Sequence, residues 1–427
     1  MAPQTPGFDT LAVHAGAAPD PTTGARITPI YQTTSFVFKS TEHAANLFGL
    51  AEFGNIYTRI MNPTTAVLEE KVAALEGGTA ALATSSGHGA QLLIFHTIME
   101  PGDNFISANR LYGGSINQFN HAFKNFDWQV RWADMDDVSS IESQIDDKTK
   151  AIFCESLANP GGIVTDIEAV SAVAKKHGIP LIVDNTMATP YLMRPIEHGA
   201  DIVVHSLTKF IGGHGNSMGG MIVDGGTFDW SASEKYPMLS KPRTEYGGVV
   251  LHEALGNIAF AIACRVLGLR DFGPTLSPSN AFNILTGCET LSLRMQRHCD
   301  NALKVAEHLK GHDKVAWVRD AGVADDPNNA LQSNYSPKGA GAVFTIGLKG
   351  GFESGVKFVE GLEMFSHLAN IGDTRSLVIH PASTTHRQLT DEQRDAAGAG
   401  NDVVRLSIGI ESVEDIIADL DQALEKA

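Results

Sequence analysis

Short apolar runs alternate with helical patterns between about residues 80 and 223 of the 427-residue chain, and this alternation constrains the fold more than any other feature. The runs are predicted strands at 80–84, 104–108, 128–132, 150–154, 180–184, 201–205 and 220–223. Strands separated by helices pair in parallel, because each helix returns the chain across a face of the sheet. We therefore predict an α/β fold with a largely parallel sheet that helices cover on both faces.

The rest of the chain differs from this region on both sides. Residues 1–62 carry turn signals without sustained periodicity, which predicts an N-terminal arm. The elements predicted after about residue 265 are helices at 278–309, 353–369 and 412–425 and strands at 342–348 and 403–408. We therefore predict three parts: the arm (1–62), a larger domain (63–265) and a smaller α+β C-terminal domain (266–427).

Composition and charge argue against several classes of partner. A formal net charge of −17 does not suit a nucleic-acid partner, whose binding needs clustered cations. No apolar run approaches the roughly 18 residues that cross a bilayer, and the N-terminus lacks the basic and apolar regions of a signal peptide. The four cysteines form no C-x-x-C pair, and the histidines show no metal-ligand spacing. We expect a cytoplasmic protein with reduced cysteines and no metal site.

Two predicted strands end in side chains that can take part in catalysis. The strand at 201–205 is followed by Ser206, Thr208 and Lys209, and the strand at 180–184 ends in Asp184. Because the carboxyl ends of strands open onto the ligand crevice of an α/β sheet, Lys209 and Asp184 should face one pocket. A lysine that bonds an aldehyde and an aspartate that holds a pyridinium nitrogen suit pyridoxal phosphate, PLP. Each residue alone also fits a solvated loop or a turn, but the adjacent hydroxyls favour PLP.

A loop of small residues, Ser85–Gly89, lies between a predicted strand and a predicted helix. Backbone N–H groups in such a loop can converge on an anion, and the helix dipole favours negative charge there. The loop is also an ordinary tight turn when it stands alone. Together with Ser206 and Thr208 it makes a candidate phosphate cup.

Three further sites have both a functional and an ordinary interpretation. Tyr112 follows a strand, so its ring either stacks on a heteroaromatic cofactor or belongs to the core. Tyr57-Thr58-Arg59 lies in the arm, where the arginine either binds a phosphate or faces solvent. Arg405 interrupts an alternating strand and either points to water or meets the carboxylate of an amino-acid substrate. Ser376 could add a hydroxyl or backbone contact to that carboxylate.

With these residues in place, the chain resembles the Cys/Met-metabolism family of PLP-dependent enzymes, of the fold-type I (aspartate aminotransferase-like) class, over nearly its whole length. The motifs that carry the resemblance are Tyr57-Thr58-Arg59, Ser85-Ser86-Gly87, Tyr112-Gly113-Gly114, Glu155-Ser156-Leu157-Ala158-Asn159-Pro160, Asp184-Asn185-Thr186, Ser206-Leu207-Thr208-Lys209 and Arg405-Leu406-Ser407-Ile408-Gly409-Ile410-Glu411. Within the family, the stretches 276–295 and 372–386 are most similar to the O-acetylhomoserine sulfhydrylases.

The resemblance implies roles for the residues around the cofactor ring. Lys209 would bond the aldehyde of PLP and later move protons, Asp184 would hold the pyridinium, and Tyr112 would stack on the ring. Asn159 would lie near the phenolic oxygen. The phosphate would be bound by Gly87, the backbone of His88, Ser206 and Thr208. Tyr57 and Arg59 of the partner subunit would bind the same phosphate. Arg405 and Ser376 would bind the α-carboxylate of the substrate.

The resemblance also implies an activity and an assembly. The activity is a γ-replacement on O-acetyl-L-homoserine by sulfide or a thiol, in a tetramer built from two intimate dimers. Alternatives are a cystathionine γ-synthase, a γ-lyase, or a scaffold that kept the fold without the chemistry. Gly114 stands where methionine γ-lyases typically have a cysteine, which weakens that alternative. An inactive scaffold would be expected to lose Lys209 or Asp184, and both are present.

Overall fold

A computed structural model describes residues 6–385, 387, 390–396 and 398–427. Its strands, in chain order, are β1 (Ala80–Thr84), β2 (Asn104–Ala108), β3 (Gln129–Ala133), β4 (Thr149–Glu155), β5 (Leu157–Ala158), β6 (Ile163–Val164), β7 (Leu181–Asp184), β8 (Ile202–Ser206), β9 (Gly220–Asp224), β10 (Val315–Arg319), β11 (Val343–Leu348), β12 (Ser366–His367), β13 (Leu377–Ile379) and β14 (Val403–Ser407). Its α-helices are Phe8–His14, Thr41–Phe48, Pro63–Glu76, Gly87–Ile98, Gly113–Asn117, Val138–Glu142, Ile167–Lys176, Thr189–Leu192, Pro237–Ser240, Leu251–Leu255, Ala259–Ala263, Arg270–Phe272, Pro278–Glu289, Leu291–Lys310, Asn329–Tyr335, Gly351–Gly361, Asp391–Ala396 and Val413–Lys426.

The larger sheet has seven strands in the order β1-β9-β8-β7-β4-β2-β3. Strand β9 runs antiparallel to both of its neighbours, and the other pairs in the sheet are parallel. The prediction of an α/β fold with a largely parallel sheet is confirmed. Parallel pairing places the carboxyl ends of β4, β7 and β8 at one edge of the sheet, where the register sets Asp184 opposite both Glu155 and Val204.

The helices that flank this sheet begin and end at residues whose chemistry favours those boundaries. Helix Pro63–Glu76 starts after Asn62, whose side-chain oxygen accepts a hydrogen bond from the Thr64 N–H at 3.0 Å. It ends at Gly77, which has φ of 77°, a backbone conformation that favours glycine. Helix Gly87–Ile98 starts after Ser86, whose hydroxyl oxygen accepts from the Gly89 N–H at 3.1 Å. Both helices pack against β1 and β9 of the sheet.

The smaller sheet has five strands in the order β10-β11-β14-β13-β12. Strand β14, which carries Arg405, lies at its centre and pairs antiparallel with β11 and β13. Helices Gly351–Gly361 and Val413–Lys426 pack against each other beside this sheet. The predicted boundaries at residues 62 and 265 stay predictions.

Some predicted elements differ in detail from those observed. The helix predicted at 278–309 is two helices, because Thr290 has the non-helical angles φ −112° and ψ 13°. The break is stabilised by Arg294, whose guanidinium donates to the Gly287 carbonyl at 2.7 Å and to the Phe210 carbonyl at 2.7 Å. The helix predicted at 353–369 ends at Gly361, and the arm contains two short helices, Phe8–His14 and Thr41–Phe48.

One helical stretch of the described residues, Leu251–Phe272, is long and apolar enough to cross a membrane by length and composition alone. Half of its most apolar 18-residue window is buried within the fold, and its segment Cys264–Leu269 packs against helix Gly87–Ile98. Core helices of globular folds pass the same test. The stretch is not an unbroken apolar run, because it is interrupted by Glu253, Arg265, Arg270 and Asp271.

Candidate active site

The carboxyl ends of the sheet strands and one loop of the smaller sheet enclose a pocket. The ionisable side chains that line it include Asp184 at the end of β7, Lys209 in the loop after β8, and Arg405 in β14. Its lining consists of Ser86, Gly87, His88, Gln91, Tyr112, Ser115, Glu155, Leu157, Asn159, Asp184, Thr186, Met187, Ser206, Thr208, Lys209, Met218, Ala369, Asn370, Ile371 and Arg405. Most of the residues singled out from the sequence therefore lie around one cavity.

Lys209 lies three residues after the end of β8, where its backbone N–H donates to the Ser206 carbonyl at 3.2 Å. Its ammonium group contacts the side-chain oxygen of Asn370. Burial lowers the pKa of Lys209 to about 8, and the neighbouring positive charge of Arg405 acts in the same direction. A substantial fraction of this lysine is therefore a neutral, nucleophilic amine near pH 8.

Asp184 ends β7 beside Lys209's strand and accepts a hydrogen bond from the Thr186 N–H at 3.0 Å. Burial raises the pKa of Asp184, whereas the hydrogen bonds from Thr186 and the nearby rings of His205 and His88 act to lower it. A cation placed against this carboxylate would favour its ionised form. The site is therefore suited to a protonated ring nitrogen.

Tyr112 presents its ring to the pocket and is 46% exposed. Its backbone N–H donates to Glu155 at 2.7 Å, and its ring stacks on His88 with the centroids 5.9 Å apart. Burial lowers the pKa of His88, which favours the neutral form of its ring. A Cβ on Gly114 would lie 2.3 Å from Cε1 of Tyr112, so the ring occupies this position only because residue 114 has no side chain.

Two loops meet at one end of the pocket and form the candidate phosphate cup. As the first two residues of their helix, Gly87 and His88 have backbone N–H groups with no intrahelical acceptor. A Cβ on Gly87 would lie 3.2 Å from Cβ of Ser206, which shows how closely the loops approach. The Thr208 hydroxyl accepts from the Gly219 N–H at 3.1 Å and donates to the Gly219 carbonyl at 3.2 Å, so the hydroxyl donor of the cup is that of Ser206. The cup therefore offers N–H groups and a hydroxyl as donors at a helix N-terminus.

Arg405 is buried, with 9% of its surface exposed. Its guanidinium donates to the side-chain oxygen of Asn159 at 3.1 Å and to the Asn370 carbonyl at 3.1 Å. No ion pair in the described part of the chain involves it. Burial lowers its pKa to about 10. A buried guanidinium whose partners are neutral oxygens is a site for a carboxylate.

Three residues singled out from the sequence do not line this pocket. Ser376 is fully buried outside this pocket, and both its hydroxyl, at 3.1 Å, and its backbone N–H, at 2.6 Å, donate to Glu411. We therefore correct the expectation that Ser376 contacts substrate. Tyr57 is 42% exposed and Arg59 is exposed, with the guanidinium 5.6 Å from the Tyr57 ring centroid. Both lie on the surface of their own chain.

Glu155 and Asn370 are among the pocket residues to which the sequence assigned no role. Glu155 ends β4 and holds the backbone of Tyr112, and Asn370 contacts both Lys209 and Arg405. The same strand-end rule that selected Asp184 applies to Glu155, so a signal for it was present. Asn370 lies in a loop between β12 and β13, where no local pattern distinguishes it.

The donor set of the pocket fits PLP part by part. The amine of Lys209 suits the aldehyde, the carboxylate of Asp184 suits the ring nitrogen, and the ring of Tyr112 suits stacking. The cup at Gly87 and Ser206 suits the phosphate. The side-chain Nε2 of His88 is buried and has no hydrogen-bond partner among the described residues, so it is available to a bound group.

Known proteins resemble the chain over nearly its whole length. A family model described as Cys/Met metabolism PLP-dependent enzyme matches residues 9–425. O-acetyl-L-homoserine sulfhydrylase of Leptospira meyeri is 52% identical over 98% of this chain and 96% of its own length. Homocysteine synthase of Schizosaccharomyces pombe is 48% identical over 98% of each chain.

A solved structure from Campylobacter jejuni agrees with this match. That protein is assigned as an O-acetylhomoserine (thiol)-lyase, and one of its residues is N'-pyridoxyl-lysine-5'-monophosphate. It superposes with a TM-score of 0.95 at 39% identity, covering 98% of this chain and 100% of that one. The family match, the fold and the donor set of the pocket agree, and the chain belongs to the Cys/Met-metabolism family of PLP-dependent enzymes.

Proposed function

We propose that this enzyme catalyses a γ-replacement on O-acetyl-L-homoserine, in which a sulfur nucleophile displaces acetate. Sulfide would give L-homocysteine, and a small thiol would give methionine or a related thioether. The names of the relatives support this reaction. The observation that carries the proposal is that Lys209 and the buried Arg405 line the same pocket, so one amino-acid substrate can meet both the base and a carboxylate site.

In the proposed mechanism the chain's own residues bind the substrate and move its protons. Arg405 binds the α-carboxylate through its forked donors and so orients Cα toward Lys209. Asp184 would hold the ring nitrogen, and its carboxylate charge would stabilise the protonated form of that nitrogen. PLP, when bound, accepts the electron pair that is left when Cα loses its proton.

Lys209 is the proposed base because it is the amine that lines the pocket and because burial already favours its neutral form. It removes the proton from Cα and, once that proton has passed to solvent, removes a proton from Cβ, so that the bond from Cγ to the acetoxy oxygen breaks and acetate leaves. Sulfide or a thiolate forms the new bond to Cγ. Lys209 then returns the protons to Cβ and Cα, and the atoms balance as homocysteine plus acetate.

The ring position of Tyr112 argues against a methionine γ-lyase. A side chain at residue 114, where such lyases typically have cysteine, would overlap the Tyr112 ring at 2.3 Å from its Cε1. Gly114 therefore permits a ring placement that a cysteine would displace. Analysis of the products is needed to distinguish the proposed reaction from cystathionine synthesis.

A panel of donors and acceptors with product identification tests the proposed reaction. With O-acetylhomoserine, we expect sulfide to give homocysteine and acetate in equal amounts. Cystathionine formed preferentially from cysteine, or an oxo acid and ammonia formed without any thiol, would contradict the proposal in favour of a γ-synthase or a γ-lyase.

A donor whose α-carboxylate is replaced by a carboxamide should lose about 10- to 100-fold in kcat/KM, because it leaves the Arg405 charge uncompensated.

We also propose that the enzyme is a homotetramer made of two intimate dimers, with each site shared across a dimer. Tyr57 and Arg59 lie on the surface of their own chain, and they suit a phosphate cup that faces them from a neighbour. The same N-terminal region exposes large apolar side chains, which favour an interface. They are Ile27, Ile30, Val37, Phe38, Phe48 and Phe53.

Hybrid dimers test the shared site. Chains with Arg59→Ala and chains with Lys209→Ala should each be weakly active or inactive, and coexpression should restore activity, because a hybrid dimer contains one site with both native residues. Light scattering should give four chains per particle. An active monomer, or the absence of any restoration in hybrids that have been shown to form, would contradict the proposal.

A further inference from the structure

Glu155 is a buried acidic residue in the wall of the pocket. The proposed mechanism assigns it no role. It ends β4, is 4% exposed, and pairs in register with Asp184 on the adjacent strand. Burial raises the pKa of Glu155 to about 8, and the charge of Asp184 raises it further in the same sense. A second carboxylate beside Asp184 is unfavourable for stability, so its presence calls for a compensating contact.

The two carboxylate oxygens of Glu155 bind two different segments of the chain. Oε1 accepts from the backbone N–H of Tyr112 at 2.7 Å, and Oε2 accepts from the backbone N–H of Asn159 at 2.9 Å. Tyr112 precedes the helix that follows β2, whereas Asn159 follows β5. The carboxylate thus joins two loops at the carboxyl edge of the sheet that otherwise approach the pocket independently.

Both loops carry groups that face the cofactor site. The Tyr112 loop supplies the ring that lines the pocket, and the Asn159 side-chain oxygen accepts from the Arg405 guanidinium at 3.1 Å. The link therefore runs from the ring of Tyr112, through Glu155 and Asn159, to the guanidinium of Arg405. A glutamine in this place would have one acceptor oxygen and would turn an amide N–H toward the second backbone N–H.

We propose that Glu155 is a positioning residue: its carboxylate fixes the Tyr112 ring and the Asn159–Arg405 pair relative to each other, so that the cofactor and the α-carboxylate of the substrate are bound in one geometry. The proposal rests on the proposed roles of Tyr112 and Arg405. It assigns Glu155 no contact with the reacting atoms.

Glu155→Gln tests this link when it is compared with Asp419→Asn. Asp419 is also buried and also binds backbone N–H groups, those of Glu363 at 2.9 Å and Met364 at 3.0 Å, but it lies outside the pocket. For Glu155→Gln we expect PLP binding to the apoprotein to weaken and kcat/KM for the donor to fall, each by about 10- to 100-fold. The visible circular dichroism of the bound cofactor should also change, because the ring platform moves.

Asp419→Asn should lower the thermal unfolding temperature without these effects. The proposal is overturned if Glu155→Gln keeps the wild-type dichroism and PLP affinity, or if Asp419→Asn changes both equally. Should Glu155→Gln not fold, Glu155→Asp serves as the test: it keeps the carboxyl group but shortens its reach, and a wild-type result for it refutes the link. If the wild type turns over no donor, the proposed function fails, whereas dichroism and PLP affinity still decide the role of Glu155.

Discussion

Replacing Lys209 with alanine should abolish turnover and remove the visible absorbance of the lysine-bound cofactor. Lys209 is the lysine among the described residues that line the pocket, so no second amine is placed to bond the aldehyde. Loss of a general base alone costs about 10²- to 10⁴-fold in rate, and loss of the covalent attachment adds to it. We therefore expect kcat to fall below detection in a sulfide assay.

Lys304→Ala is the matched control for this experiment. Lys304 is an exposed lysine of helix Leu291–Lys310, away from the pocket, so its removal should leave both absorbance and kcat at the wild-type level. PLP added to Lys209→Ala should still bind through the phosphate cup but without the lysine-bound absorbance. Retained turnover in Lys209→Ala would refute the assignment of the base.

The part of the site that the sequence predicted is the part that the sheet builds. Asp184 and Lys209 lie at or just after the ends of buried apolar strands. Parallel pairing brings the carboxyl ends of such strands to one edge of the sheet, whatever the conformation of the loops. The loop at Gly87 and the hydroxyl of Ser206 follow from the same geometry, since each lies directly at the end of a strand. Local pattern and topology were sufficient for these residues.

Other parts depend on contacts between segments that are distant in sequence. Ser376 directly precedes β13, which pairs with the strand of Arg405, but its hydroxyl donates to Glu411. The alternation of apolar residues does not show which polar side chain finds an internal partner. Asn370 reaches Lys209 across 161 positions of the chain. Such contacts depend on how segments distant in sequence are placed against one another, which periodicity does not specify.

The break at Thr290 has a similar origin. The helical periodicity continues through residues 278–309, so the sequence predicts one helix. The Arg294 side chain ends the first helix by binding the Gly287 carbonyl and at the same time binds the Phe210 carbonyl next to Lys209. A tertiary contact with the loop of the active-site lysine thus overrides the local helical preference.

Replacing Asp184 with asparagine should lower kcat by about 10²- to 10³-fold, the range found when one preorganised electrostatic contact is removed from an active site. The asparagine amide has nearly the same shape but no charge, so it cannot stabilise a protonated ring nitrogen. Because Lys209 and the phosphate cup are unchanged, PLP should still load. The measurements are kcat in the sulfide assay, PLP affinity, and the pH dependence of the cofactor absorbance.

Asp201→Asn separates this charge effect from the effect of losing any buried carboxylate in the sheet. Asp201 precedes β8 at the opposite edge, where it accepts from the Leu181 N–H at 2.9 Å, and burial raises its pKa as it does for Asp184. Asp201→Asn should lower stability but leave kcat within a few-fold of wild type. If Asp184→Asn retained kcat within tenfold of wild type, or if Asp201→Asn lost as much, the carboxylate at the end of β7 would not act through the cofactor nitrogen. A large loss confined to Asp184→Asn would mean that its charge acts on the reaction itself.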